Sequence, residues 1–295
     1  MQINPKDGGV TLQKPTIEDI FEPTDVGRPL RKRKYHEAYV ICCRRMKFDP
    51  AVIGYKVLVN HYRCCMLVGK AEEAIRTKNK LTFFLKEKSQ TTPNEIETFA
   101  DTIRGEERDM EPILFYQIAA EFYGNQSKAG LVGIENCVNG IRLSIKPMLS
   151  RDKGLKPIVR THVIPLMRDM REMIRRSDDV SEEVRCLQEV NCLYSIELSE
   201  GLVGNLDGKE TAGKEAIAIM ERVFKERAGK HSVYGTCLNN LGSTYVKTSR
   251  PNDANQYFRK AIAAFGEAED INDDLRDKKI AISIQGLKNA KRQMK

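Results

Sequence analysis

The chain has 295 residues, 41% of them hydrophobic and 31% charged, with eight Cys and no Trp. Such apolar content is lean for one large globule and suits an elongated array with much surface per residue, packed by Leu, Ile, Val and Ala. The net charge of +8 comes from 49 basic and 41 acidic residues spread along the chain, a solvated mixed surface rather than a polyanion-binding one. No run approaches the roughly 18 apolar residues of a membrane span.

Residues 1–34 carry Pro5, Pro15, Pro23 and Pro29 and sustain no apolar period, which predicts a disordered or loosely attached N-terminal arm. The arm has no apolar core of signal-peptide length, so a cytoplasmic home with free thiols is expected. It ends in the basic run RPLRKRK at 28–34. Its bland reading is a solvated preamble to the first helix. The alternative is a nuclear or nucleic-acid-associated helical scaffold that uses this run and the basic segment 288–295.

From Tyr35 onward apolar residues recur at three- and four-residue intervals, and no β-hairpin signal interrupts them. The spacing predicts helices over 35–47, 50–68, 71–88, 94–105, 111–123, 127–146, 156–176, 181–199, 211–227, 232–248, 251–267 and 272–291. Pro165 should kink or split the helix around it, because it lacks a backbone donor and clashes with the preceding turn. SEGLVGNLDGKET at 199–211 reads as an inserted, glycine-turned loop. It superficially resembles a phosphate loop but lacks the glycine spacing and the Lys-Ser/Thr pair.

One stretch is sharply patterned. Leu238, Leu241, Gly242 and Tyr245 fall at i, i+3, i+4 and i+7 of one helix. Pro251 then opens a second helix, where Ala254, Phe258, Ala261 and Phe265 mark the inner face. A mid-helix Gly costs up to about 1 kcal/mol relative to Ala, so Gly242 makes sense if a bulky side chain such as Phe258 presses on the backbone there.

This pattern resembles a tetratricopeptide repeat, whose apolar, Leu, small, Tyr, Ala, Phe and Ala slots are filled by Leu238, Leu241, Gly242, Tyr245, Ala254, Phe258 and Ala261. The doublet Asn239-Asn240 looks like the longer repeats of the kinesin light chain group. Degenerate copies are read around Tyr55, Leu58, Tyr62, Ala71 and Ile75, around Phe115, Ile118, Ala119 and Phe122, and around Leu187, Val190 and Tyr194. The last helix, with Leu275, Ile280, Ile284 and Leu287, looks like a cap. The resemblance implies an all-α fold, a right-handed α-solenoid of antiparallel helical hairpins over 35–295 with a C-terminal capping helix. It also implies a non-catalytic scaffold or adaptor whose partner is a protein or peptide held in a concave groove, with no cofactor.

Asn seldom occupies a helix interior on propensity grounds, and an amide offers a peptide unit both a donor and an acceptor. By position in the repeat, Asn239, Asn240, Ser243 and Lys247 are the candidate partner-binding residues. The competing reading for each Asn is a cap or a hydrogen bond between hairpins. Cys42-Cys43 and Cys64-Cys65, with His36 and His61, form the one Cys/His concentration. Adjacent helical residues point about 100° apart, so the doublets are expected to be buried small hydrophobes, and no metal site is expected. No nucleophile or phosphate motif supports an enzyme.

Overall fold

The computed structural model describes residues 29, 32–46, 55–88, 91–105 and 110–294. The arm expected over 1–34 lies outside these apart from residues 29 and 32–34, as do residue 47 and residues 50–54 of the first two predicted helices. The described residues form an all-α fold, with helices joined by short turns. Among them, no helix is long and apolar enough to cross a membrane.

The chain divides into two compact units. The first comprises Met1–Phe122 and Pro147–Val163, the second Tyr123–Lys146 and Ile164–Lys295. In chain order the helices are α1 (Tyr35–Arg45), α2 (Tyr55–Leu67), α3 (Ala71–Lys88), α4 (Pro93–Gly105), α5 (Glu111–Tyr123) and α6 (Lys128–Arg151). A 3-10 turn (Lys153–Leu155), α7 (Lys156–Ile158) and a π turn (Val159–Val163) lead into α8 (Ile164–Arg175). Then come α9 (Glu182–Val203), α10 (Leu206–Phe224), a 3-10 segment (Lys225–Lys230), α11 (Ser232–Lys247), α12 (Pro251–Glu267) and α13 (Asp273–Gln293). The π turn is the response to Pro165. Proline cannot donate to the carbonyl of Thr161, four residues back, and a widened turn absorbs the missing bond and the ring.

In the second unit sequence neighbours pack on one another, α8 on α9, α9 on α10, and so on to α12 on α13, as in a stacked helical array. Three hairpins, one in the first unit and two in the second, share one closure. Gly69, Gly204 and Ser249 follow the first helix with φ of 74°, 80° and 56°. The next residue's N–H then reaches back five positions: Lys70 to the Cys65 carbonyl at 2.7 Å, Asn205 to Glu200 at 2.9 Å, and Arg250 to Tyr245 at 2.8 Å. This is the left-handed helix stop that glycine favours and that serine adopts at a steric cost.

Several sequence expectations change. Residues 199–211 are not an inserted loop: α9 runs to Val203, Gly204 and Asn205 make the whole turn, and α10 starts at Leu206. The reason is capping, since Gly204 closes α9 and the Asn205 side chain accepts from the Gly208 N–H. Ile75 is 53% exposed, because α3 packs through Ala74, Thr77, Lys78 and Leu81, the i, i+3, i+4, i+7 stripe one residue out of register with the expected frame. On α13, Leu275, Ile282 and Ile284 are exposed, while Ser283 and Ala290 are the fully buried residues. That helix packs through small residues because its partner surface is an aromatic ring. A Cβ built on Gly286 would lie 2.9 Å from Phe258 Cδ1 and nearer still to Cε1 and Cζ.

The expected seating of Phe258 on Gly242 is present: a Cβ there would meet Phe258 Cδ1 and Cε1 at 3.1 Å. The ring is therefore held between a glycine of α11 and a glycine of α13. Phe265 repeats the device against Gly235, where a Cβ would lie 2.7 Å from its Cδ1 and Cε1.

Candidate partner-binding site

On α11 the residues Cys237, Leu238, Leu241, Gly242, Thr244 and Tyr245 are buried. Helical periodicity then leaves Thr236, Asn239, Asn240 and Ser243 half-buried and Lys247 exposed on the remaining face. The four predicted residues therefore share one stripe. Ser243 Oγ donates back to the Asn239 carbonyl at 3.0 Å.

Both asparagines bond to neighbouring helices. Asn239 Oδ1 accepts from Ser283 Oγ of α13 at 2.9 Å. Asn240 Nδ2 donates to Glu197 Oε2 of α9 at 3.2 Å. Lys279 Nζ, also from α13, donates to Thr236 Oγ1 at 3.0 Å. The doublet thus sits where α11 meets a helix on either side. In each case half of the amide is committed. No hydrogen bond among the described residues engages Asn239 Nδ2 or Asn240 Oδ1, and neither is a buried atom lacking a partner. Lys247 makes no ion pair with any described residue.

Beneath this stripe lies a feature the sequence reading missed. Glu197 is fully buried, and Lys209 of α10 is 6% exposed, with Nζ 4.0 Å from Glu197 Oε1. Oε1 has no hydrogen-bond partner. Burial pushes the Glu197 carboxyl up to about 7, opposed by Lys209 and by the Asn240 amide. Burial likewise lowers the Lys209 ammonium. The available signal was the stripe Cys186, Val190, Leu193, Glu197 and Glu200, which places two carboxylates on the inward face of α9.

Ion pairs extend the bracing. Arg171 of α8 bridges Glu189 Oε1 at 2.5 Å and Glu215 Oε1 at 2.6 Å, joining α8, α9 and α10. Arg250 Nη1 lies 3.0 Å from both Glu210 oxygens, and its guanidinium stands 4.1 Å from the Tyr245 ring centroid. Within the basic run, Lys34 pairs with Glu37 at 3.2 Å and Arg33 with Asp152 at 3.7 Å, which neutralises part of it. Residues 28, 30 and 31 lie outside the described residues.

Residues 235–268 match a family model described as tetratricopeptide repeat. Among solved structures the chain is similar to the crystal structure of BtubC (BKLC) from P. vanneervenii, at 12% identity over 92% of this chain and 88% of that one, with a TM-score of 0.30. At that score the two backbones do not superpose closely. No curated protein matches the chain. The seven slot residues, the two-helix hairpin α11–α12 and the matched family model agree: residues 235–268 are a tetratricopeptide repeat, a module that in general mediates contact between proteins.

Proposed function

We propose that the second unit is a non-catalytic adaptor surface that holds an extended segment of a partner protein along the outer stripe of α11. Asn239 and Asn240 would bond its backbone, Ser243 would line the path, and Lys247 would meet an acidic side chain or a C-terminal carboxylate. The observation that carries this is the divided use of each asparagine. One half of the amide is fixed by a neighbouring helix, so the side chain is held in place, and the other half is open to a peptide unit that needs both donor and acceptor.

The test is selection of binding peptides on the purified chain from a random library, followed by titration against variants. Asn239→Ala is the cleaner probe. Ser283 Oγ also lies 3.1 Å from the Lys279 carbonyl, so it keeps a partner and the melting temperature should hold. Affinity should fall about tenfold, which is ~1.4 kcal/mol. Lys247→Glu should select against acidic peptides. Selected peptides that bind both variants as they bind the parent would remove the stripe from the binding surface.

A further inference from the structure

In the first unit, α1, α2 and α3 bring together three ligand-type side chains, two from the Cys/His concentration and a carboxylate that no spacing linked to it. Cys43, two residues from the end of α1, faces His61 of α2, with Sγ 3.7 Å from Nε2. Glu73 of α3 completes the set: a sulfur, a ring nitrogen and a carboxylate oxygen all lie within 4.8 Å of one another. They open onto a cleft of about 290 Å³, with Met46, Arg76 and Lys80 also in its wall.

Thr77 Oγ1 lies 2.8 Å from both the Glu73 carbonyl and His61 Nδ1. Donating its one hydrogen to the carbonyl, it accepts from a protonated Nδ1, the tautomer in which Nε2 presents its lone pair to Cys43. A histidine fixed in this way through its distal N–H is the usual support of a metal ligand. Glu73 has an outer partner as well, since Tyr39 Oη donates to its Oε2 at 2.7 Å.

We propose that Cys43 Sγ, His61 Nε2 and the Glu73 carboxylate bind one zinc ion, with the fourth position facing the cleft. Zinc takes sulfur at about 2.3 Å and imidazole nitrogen at about 2.0 Å in tetrahedral geometry, which sets those two ligand atoms ~3.6 Å apart. The Cys43–His61 pair already stands at that separation, and only the carboxylate must close in. Thiolate, imidazole and carboxylate together suit zinc better than magnesium or calcium, which prefer oxygen. A thiolate and a carboxylate cancel the charge of the ion, so Arg76 and Lys80 at the rim meet a neutral site.

Cys65 is not a ligand. Its Sγ lies 3.6 Å from Nε2 and 3.7 Å from Nδ1, but it is fully buried and does not line the cleft. Cys42 and Cys64 are buried and face each other at 3.7 Å. A nucleophilic thiol is the other chemistry a Cys–His pair can serve. Cys43 sits at the C-terminal end of α1, which offers no free N–H there to bind an oxyanion.

The test is cobalt and zinc titration of the full chain after treatment with a chelator. The expected result is one metal per chain, a thiolate-to-cobalt charge-transfer band with intense tetrahedral visible bands, and a raised melting temperature with zinc. Cys43→Ser should lose the charge-transfer band, while Cys65→Ser should keep it. Thr77→Val, which leaves all three ligands in place, should weaken zinc binding by roughly 10–100-fold. Absence of a charge-transfer band in the parent chain overturns the proposal. So does a band that survives in Cys43→Ser, or one lost in Cys65→Ser with the far-ultraviolet spectrum intact.

Discussion

The seating of Phe258 between two glycines makes a graded prediction, because three glycines of the C-terminal helices differ chiefly in what a methyl group would meet. Gly→Ala inside a helix gains up to about 1 kcal/mol of propensity wherever the site is open. Gly266 has no heavy atom within 4 Å of its virtual Cβ, so Gly266→Ala should stabilise by ~0.5 kcal/mol, less than the full gain because it stands one residue from the end of α12. At Gly242 the methyl would stand 3.1 Å from two ring carbons of Phe258, a contact that the ring must relieve by a small shift. There the gain and the crowding should nearly cancel, to within ~0.5 kcal/mol. At Gly286 all three nearest ring atoms are under 3.0 Å, so the ring or α13 must move. Overpacking of that kind costs roughly 1–3 kcal/mol, and Gly286→Ala should lose ~1–2 kcal/mol net. Urea denaturation followed by circular dichroism measures the order, and hydrogen exchange over residues 237–290 locates the loss. Phe258→Leu in the Gly286→Ala background should recover part of it, a coupling of ~1 kcal/mol in a double-mutant cycle. A Gly286→Ala chain as stable as Gly266→Ala, or additive effects at 258 and 286, would refute ring-into-notch packing as the source of this hairpin geometry.

Burial raises the Glu197 carboxyl to about 7, so between its ordinary 4.5 and 7 the folded chain holds a proton that the unfolded chain releases. Its contribution is therefore full below 4.5 and lost as pH rises through 7, a span on the order of 3 kcal/mol at most. Glu197→Gln should flatten the dependence of the urea midpoint between pH 5.5 and ~7.5, and an unchanged slope would count against a protonated Glu197. Asn240→Ala should be costlier than Asn239→Ala by ~1–2 kcal/mol, because it strips Glu197 of its hydrogen-bonded amide, and equal melting curves would contradict this. Ser249→Gly should stabilise by ~0.5–1 kcal/mol, since Ser249 carries a φ of 56° at the helix stop where Gly69 and Gly204 serve the other hairpins. A lowered midpoint in that variant would show that the serine side chain matters more than the backbone strain.

Periodicity, caps and small residues are local quantities, and what they govern was legible. The helical character of the chain, the α11–α12 hairpin, the slot residues around Gly242 and the effect of Pro165 all follow from intervals of three and four. The shared stripe of Asn239, Ser243 and Lys247 follows in the same way. The turn at Gly204-Asn205 was written locally too, as a left-handed stop followed by an N-cap, but the glycines around it suggested a loop. What α9, α11 and α13 do to one another was not legible. A sequence period shows that a face turns inward but not which side chain it meets, so the contact between Glu197 and Lys209 appears only once α9 and α10 bury them against each other. In the same way the exposed apolar residues of α13 looked like its packing face, although the helix packs through Ser283 on Asn239 and through Gly286 on the Phe258 ring instead. Cys43, His61 and Glu73 converge for the same reason. Their separations of 18 and 12 residues match no ligand spacing along the chain, and only the packing of three helices sets their atoms within reach of one ion.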